Sequence, residues 1–286
     1  MGALLAILQS DPNLLRCQVR RLEDHVELRE AERLPDAYGF GYYKGNDVLL
    51  GKRPSGAPAT YKLTQLAGSV DSEALLAHAR YATVGGPKDE NTHPFRFRRW
   101  LFAHDGTVEA FQEVKPRLVE ALPDFLRRNV EGETDSEHAF MLFLKYLREG
   151  GHLDDLDTEA RVVGRALAQA IRDLETWSRE AGASKPSTLN FVATNGRVLA
   201  ATRRGRPLHY GLFEGIMPCK REGIGPQTPE NDPRVRAHRQ VKAVCFATNL
   251  KTPNGFLEVP EASVVAVSRT LQVGVSSLAA SPLTSP

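Results

Sequence analysis

The residues that could do chemistry gather between His78 and Glu137, in three short blocks. The first is His78-Ala79-Arg80-Tyr81-Ala82-Thr83-Val84-Gly85, continuing to Asn91-Thr92-His93-Pro94-Phe95. The second is Trp100-Leu101-Phe102-Ala103-His104-Asp105-Gly106-Thr107, and the third is Gly132-Glu133-Thr134-Asp135-Ser136-Glu137. Each joins an apolar run or a turn to a few polar residues able to converge on one small molecule. The Arg80 guanidinium is a planar fork that matches a carboxylate. Asp135 offers the opposite charge. Thr134-Asp135-Ser136-Glu137 is equally a helix start on any fold, with Thr134 as cap and Glu137 three residues later. His78, His93 and His104 lack carboxylate or thiol companions at ligand spacing, so no metal site is expected.

Strand ends and a helix start must hold these blocks. Ala3 to Leu8 is a short apolar run stopped by Ser10-Asp11-Pro12, and reads as a buried strand. Tyr38–Tyr43 and Asp47–Gly51 flank Lys44-Gly45-Asn46, a hairpin signal. Leu75–Tyr81 and Trp100–His104 read as further strands, each ending in a polar block. Residues 13–33 fit either helix or extended chain. Helical periodicity starts at Thr134 and predicts a helix over 134–149, then a second over 157–180, paired across Gly150-Gly151. Strands follow at 189–194 and 198–202 around Asn195-Gly196, then at 207–212, 241–247, 262–267 and 271–275. Residues 217–239 read as a long surface loop, and 276–286 as a disordered tail. Strands, a helical pair and more strands predict one α+β domain, residues 1–275, with two sheets and a helical layer.

Taken with Met1-Gly2-Ala3-Leu4-Leu5-Ala6-Ile7-Leu8, the blocks resemble the class II glutamine amidotransferases. The resemblance implies a four-layer αββα sandwich of the N-terminal-nucleophile hydrolase type. In that family a cysteine after the initiator Met attacks the side-chain amide of glutamine, with its own α-amine as base. Here position 2 is Gly, which has no side chain to attack with. The resemblance puts Arg80 on the glutamine α-carboxylate with Thr83 as a hydroxyl donor, His93 in support of the site, and Asp135 on the α-ammonium. The family's His-Asn-Gly oxyanion hole becomes His104-Asp105-Gly106, so Asp105, an acceptor when ionised, stands where a donor is required, beside Gly106. Residues 188–275 resemble stand-alone bacterial members, the branch that includes an ergothioneine-pathway hydrolase.

This pattern implies a catalytically degenerate relative that retains an amino-acid or γ-glutamyl pocket and acts in binding or regulation. With Met1 removed, an ion-paired hydrogen bond between the free Gly2 amine and Asp105, raising the pKa of the amine and lowering that of Asp105, would explain why the two changes occur together. The alternative is a working amidohydrolase that uses Cys17, exposed by processing, or another nucleophile.

The totals narrow the partners. A net charge of +2, from 37 basic and 35 acidic residues, gives no reason to expect nucleic acid. Arg96/Arg98/Arg99 and Arg203/Arg204/Arg206 read as solvated faces. No apolar run approaches the ~20 residues of a membrane span. Cys17, Cys219 and Cys245 lie far apart without paired metal spacing, as suits a reducing cytoplasm. No cofactor is expected, and a homodimer or a pathway enzyme is the expected macromolecular partner.

Overall fold

The structure is a computed structural model that describes residues 2–28, 35–54, 70–82 and 85–279. The apolar run at the start forms β1 (Gly2–Gln9), buried at every position. A strand with no polar face belongs inside a sheet and covered on both sides. β1 accordingly lies between β4 (Ala74–Arg80) and β10 (Lys242–Ala247), antiparallel to both. β2 (Ala37–Lys44) and β3 (Asp47–Pro54) form the expected hairpin, in which Gly45 takes the left-handed conformation (φ 61°) that the tight turn requires. With β9 (His209–Glu214) and β11 (Phe256–Glu258) these strands make a seven-stranded sheet in the order β11-β9-β10-β1-β4-β2-β3.

The second sheet is built from β5 (Phe95–Phe97), β6 (Trp100–Thr107), β7 (Thr188–Thr194), β8 (Leu199–Arg203), β12 (Ser263–Val267) and β13 (Val273–Ser277). Its order is β13-β12-β8-β7-β6-β5, and every pairing in both sheets is antiparallel. Side-chain alternation sorts the core into layers. Leu4, Ala6 and Leu8 of β1 meet Leu101, Val192, Leu199 and Val265 between the sheets. Leu5 and Ile7 face the other way, onto Leu15, Val19 and Leu22 of α1 (Leu15–Leu22). On the far side of the six-stranded sheet, Phe102 and Phe191 pack under α2 (Phe111–Ala121), α4 (Asp135–Glu149) and α5 (Ala160–Glu180). The result is the αββα arrangement, with a one-turn helix α3 (Asp124–Arg127) between α2 and α4.

Of the two readings left open for residues 13–33, the helix holds over Leu15–Leu22, because Leu15, Val19 and Leu22 make one apolar stripe onto the sheet. Three expectations need correction. The 217–239 segment is more than a surface loop. It ends in α6 (Pro233–Gln240), where Asp232 accepts from the Arg234 N–H and Pro233 opens the first turn. Its Cys219, Ile224 and Val235 are buried in a small apolar cluster. The turn after β7 has four residues, with Asn195 Oδ1 accepting from the N–H groups of Arg197 and Val198. Finally, β13 reaches Ser277 and Leu278 is buried against the helical layer, so only 280–286 of the expected tail lie outside the described residues. Among the described residues no helix is long and apolar enough to cross a membrane.

Phe102 is the centre of the helical-layer core, with Phe191 at 5.1 Å, Phe140 at 5.2 Å and Phe143 at 6.2 Å between ring centroids. Phe102→Ala should destabilise the chain by about 3–5 kcal/mol, read as a lowered urea midpoint. A loss below about 1 kcal/mol would mean that this layer is not the close-packed core described.

Candidate functional site

The same alternation decides what meets at one end of the sandwich. Gly2 continues the Leu4/Ala6/Leu8 face of β1, and His78 and Arg80 continue the Ala74/Leu76 face of β4. Asp105 continues the Leu101/Ala103 face of β6. All four positions therefore face the space between the sheets. Gly2 is paired with Arg80, and Arg80 with Ala37. Gly2 N–H donates to Asp105 Oδ1 across the sheets at 2.7 Å. Arg206 Nη1 reaches the same oxygen at 3.3 Å. Asp105 is 0% exposed, and its Oδ2 has no hydrogen-bond partner among the described residues. Burial pushes the Asp105 carboxyl above its ordinary range, and the Arg206 charge and the Gly2 N–H only partly offset this. The two positions of the expected pairing thus meet, here through the uncharged peptide N–H of Gly2 and not a free amine, and its pull on the Asp105 pKa is smaller than the effect of desolvation.

Space at position 2 is closed by histidine. A Cβ on Gly2 would stand 2.4 Å from His78 Nε2 and 3.0 Å from the Ala79 carbonyl. The His78 ring packs on His93 at 4.2 Å, and His93 meets Phe95 edge-on at 4.6 Å. Burial, reinforced by nearby positive charge, pushes His78 down to about 3 and His93 well below its ordinary value. Both rings are therefore neutral at physiological pH. Among the described residues neither His93 nitrogen has a hydrogen-bond partner.

Arg80 is buried, and its guanidinium donates to the carbonyls of Gly85 and Gly86 at 3.0 and 3.2 Å. Burial lowers its pKa, while the charges of Asp36 and Asp135 work in the opposite direction. Asp135 sits in the first turn of α4, where Thr134 Oγ1 caps the Glu137 N–H. Its carboxylate accepts from the Val108 N–H at 2.7 Å and the Ser136 N–H at 2.9 Å, which holds the chain leaving β6. His104 points into the helical layer. Its Nε2–H donates to the Thr188 carbonyl at 2.9 Å, which leaves Nδ1 to accept from Ser136 Oγ at 2.9 Å. A Cβ on Gly106 would lie 1.9 Å from the Thr188 carbonyl, so the close approach of β6 and β7 needs glycine there. Thr83 lies outside the described residues.

The residues at this end thus form two connected groups. Gly2, His78, Arg80, Asp105 and Arg206 lie between the sheets, and His104, Ser136 and Asp135 stand at the helix start. Arg206 is the residue that sequence reasoning missed, since it reads as part of a solvated basic run. Arg203 and Arg204 do pair with surface acids, Glu258, Glu261 and Glu175. Arg206 turns inward because Asn190, opposite Asp105 on β7, holds its loop: Asn190 Oδ1 accepts from the Arg204 N–H and Nδ2 donates to the Arg206 carbonyl. No local signal in the sequence marks that pairing.

Cys17 does not belong to this site. It lies within α1, is 1% exposed, and packs on the outer side of the seven-stranded sheet with Cys219 and Ile216. Burial and the neighbouring Cys219 push its thiol up to about 12, which leaves no thiolate for nucleophilic attack. In the intact chain, position and ionisation together count against Cys17 as a nucleophile. A cleft of about 900 Å³ between α5 and β12–β13 shares no residue with the site.

The family described as class-II glutamine amidotransferases matches residues 1–219. A probable glutamine amidotransferase of Saccharomyces cerevisiae is 30% identical over 181 residues, covering 59% of this chain and 51% of that protein. A glutamine–fructose-6-phosphate aminotransferase of Rhizobium meliloti is 30% identical over 203 residues, 65% of this chain and 29% of its own length. The chain thus spans about half or less of the curated relatives it matches. Among solved structures, a glutamine aminotransferase class-II domain protein from Silicibacter pomeroyi superposes with a TM-score of 0.61 at 21% identity, covering 97% of this chain and 99% of the other. The glutamine phosphoribosylpyrophosphate amidotransferase of Bacillus subtilis superposes with a TM-score of 0.56 at 14% identity, over 98% of this chain and 50% of the other. At those identities the likeness is one of fold.

The raised pKa of Asp105 has a consequence for stability. The folded state binds the proton more tightly than the unfolded chain, so this group's contribution is fully present below its ordinary 3.8 and is lost as pH rises through the folded value. Asp105→Asn keeps an acceptor for Gly2 and Arg206 but cannot ionise. Its stability relative to the parent chain should therefore rise as pH is taken from about 4 toward neutrality, measured by urea unfolding at each pH. Parallel stability curves for the two proteins would show that Asp105 carries no such linkage.

Proposed function

This chain belongs to the class II glutamine amidotransferases, and on that premise we propose that it is a member without glutaminase turnover, serving in binding or regulation. One observation carries the reading: the fully buried Asp105 carboxylate accepts the Gly2 N–H at 2.7 Å. Acyl transfer from glutamine needs a nucleophile and a set of donors for the oxygen that becomes negative. Position 2 supplies no nucleophilic atom, and Asp105 offers its Oδ1 as an acceptor that already has two donors. Loss of one oxyanion donor costs about 10²–10³ in rate. Burial of Asp105 favours its neutral form and softens the repulsion at low pH, but the missing nucleophile is missing at every pH.

The ligand class follows from the charges that remain. Arg80 and Asp135 are the opposite pair suited to an α-amino acid or a γ-glutamyl compound. Both are engaged internally, Arg80 with the carbonyls of Gly85 and Gly86 and Asp135 with Val108 and Ser136. A ligand carboxylate binds Arg80 by displacing those two carbonyls, which requires the 85–86 turn to give way. Three buried, unpaired thiols support a cytoplasmic setting. A homodimer or a pathway enzyme remains the proposed macromolecular partner.

Ammonia release from glutamine should not exceed background. Gly2→Cys alone should stay feeble, because its Cβ meets His78 and the intermediate meets Asp105. Gly2→Cys combined with Asp105→Asn should exceed the product of the two single effects, and full activity from Gly2→Cys alone would refute the role given to Asp105. In a separate melting experiment, glutamine, glutamate or a γ-glutamyl dipeptide should raise the melting temperature. A ligand at about 100 times Kd stabilises by about 2.7 kcal/mol. The shift should disappear in Arg80→Met, and the absence of any shift in the parent chain would remove the retained pocket.

A further inference from the structure

On the opposite, outer side of the seven-stranded sheet three residues distant in sequence come together. The sulfurs of Cys17 and Cys219 and a ring nitrogen of His238 all lie within 4.8 Å of one another, and all three residues are buried. Among the described residues no other group of three such side chains is so placed. We propose that Cys17, Cys219 and His238 form a zinc site that clasps the 216–241 segment onto helix α1.

The histidine gives the strongest indication. His238 Nδ1 donates to the Arg234 carbonyl at 2.7 Å, which in the neutral ring leaves the lone pair on Nε2. That Nε2 is buried and has no hydrogen-bond partner, although the residue is only 2% exposed. A buried acceptor without a donor is costly. An Nδ1–H anchored on a backbone carbonyl is also the arrangement that orients a metal-binding imidazole and fixes its tautomer. Both sulfurs lie within 4.8 Å of a nitrogen of this ring, and two thiolates with one imidazole are a donor set that favours zinc.

The geometry needs little adjustment. Zn–S bonds of about 2.3 Å and Zn–N bonds of about 2.0 Å place tetrahedral ligands ~3.5–3.8 Å apart, against the 4.8 Å limit found here. The three ligands stand on separate, well-held pieces of chain. Cys17 is in the first turn of α1, and His238 is in the last turn of α6, where its carbonyl accepts from the Ile216 N–H at 2.7 Å. Cys219 is pinned by reciprocal backbone bonds with Ile224, at 2.9 and 3.0 Å. A cleft of about 260 Å³, lined by both sulfur-bearing residues and by Asp24, Arg20, Arg21, Lys220 and Arg221, opens beside the two cysteines. It leaves the fourth tetrahedral position to water or a small anion. Two thiolates balance the charge of the divalent ion, so binding releases the two thiol protons to solvent.

The sequence hides the site. Cys17 and Cys219 are 202 residues apart, counted from their numbers, and the linear spacing of zinc motifs is absent.

The test uses the full chain, free of any affinity tag and purified under reducing conditions without chelator. Elemental analysis should find about one zinc per chain. After removal of zinc, cobalt(II) should bind with the near-ultraviolet thiolate-to-cobalt charge-transfer absorption of a tetrahedral site. Cys219→Ser and His238→Gln should each weaken cobalt binding by about tenfold or more. Should a variant fold poorly, the parent chain gives an independent readout: its melting temperature should fall on chelation and recover when zinc is returned. Cobalt binding that is undiminished in folded variants would overturn the site. So would a parent chain that holds no zinc and shows no charge-transfer absorption, or one whose Cys17 and Cys219 are recovered joined as a disulfide in place of any metal.

Discussion

A hydrogen bond from the Gly2 N–H to the Asp105 carboxylate joins the two sheets at the end where the polar residues collect. It is a demanding contact. The carboxylate is fully buried, and a charge in that position must be offset by partners or else give way to the neutral form. Arg206 forms an ion pair with it, and Arg206 is only partly exposed itself. That pairing depends in turn on Asn190, which holds the 204–206 turn by both ends of its amide. The residue at the start of β1 is thus tied to a loop after β8 through two side chains of the opposite sheet.

Around this contact the packing leaves no free volume for a larger residue at position 2. His78 stands where a Cβ would go, and its ring is held against His93. Both histidines are kept neutral by burial, so the pair is an apolar filler with polar edges and carries no charge at physiological pH. On the proposed reading, the architecture that presents a nucleophile in active relatives is here occupied by a closed set of internal contacts. The fold can persist through such a change because its three core layers lie along the strands, away from their ends.

The helix start contributes from the other side. Asp135 and Ser136 satisfy the Val108 N–H and His104, and His104 passes the connection to Thr188 on β7. Burial depresses the His104 pKa, so this relay too holds a neutral ring. The carboxylate of Asp135 benefits from the unpaired N–H groups and dipole of the first helical turn. The same residues are therefore explained as a helix terminus and as the brace of the β6–α2 connection. Stability alone accounts for their presence, and recognition of a ligand asks more of them.

The amino-acid sequence by itself determined the elements and the ends at which the polar blocks stand. Period-two and period-3.6 patterns, the Gly45-Asn46 turn and the Thr134 cap are local properties, decided by a few neighbouring residues. The family motifs likewise point to Gly2, Arg80, Asp105 and Asp135 as residues to compare. Tertiary structure alone decided which side chains meet. The inward turn of Arg206, the placement of His78 over position 2, and the direction of the Asp105 pKa depend on strand register and desolvation, which no linear spacing encodes. The helix α6 and the meeting of Cys17, Cys219 and His238 follow the same rule. Contacts between residues about 200 positions apart arise from how sheets and helices stack, because the free energy that selects them is burial summed over the whole core.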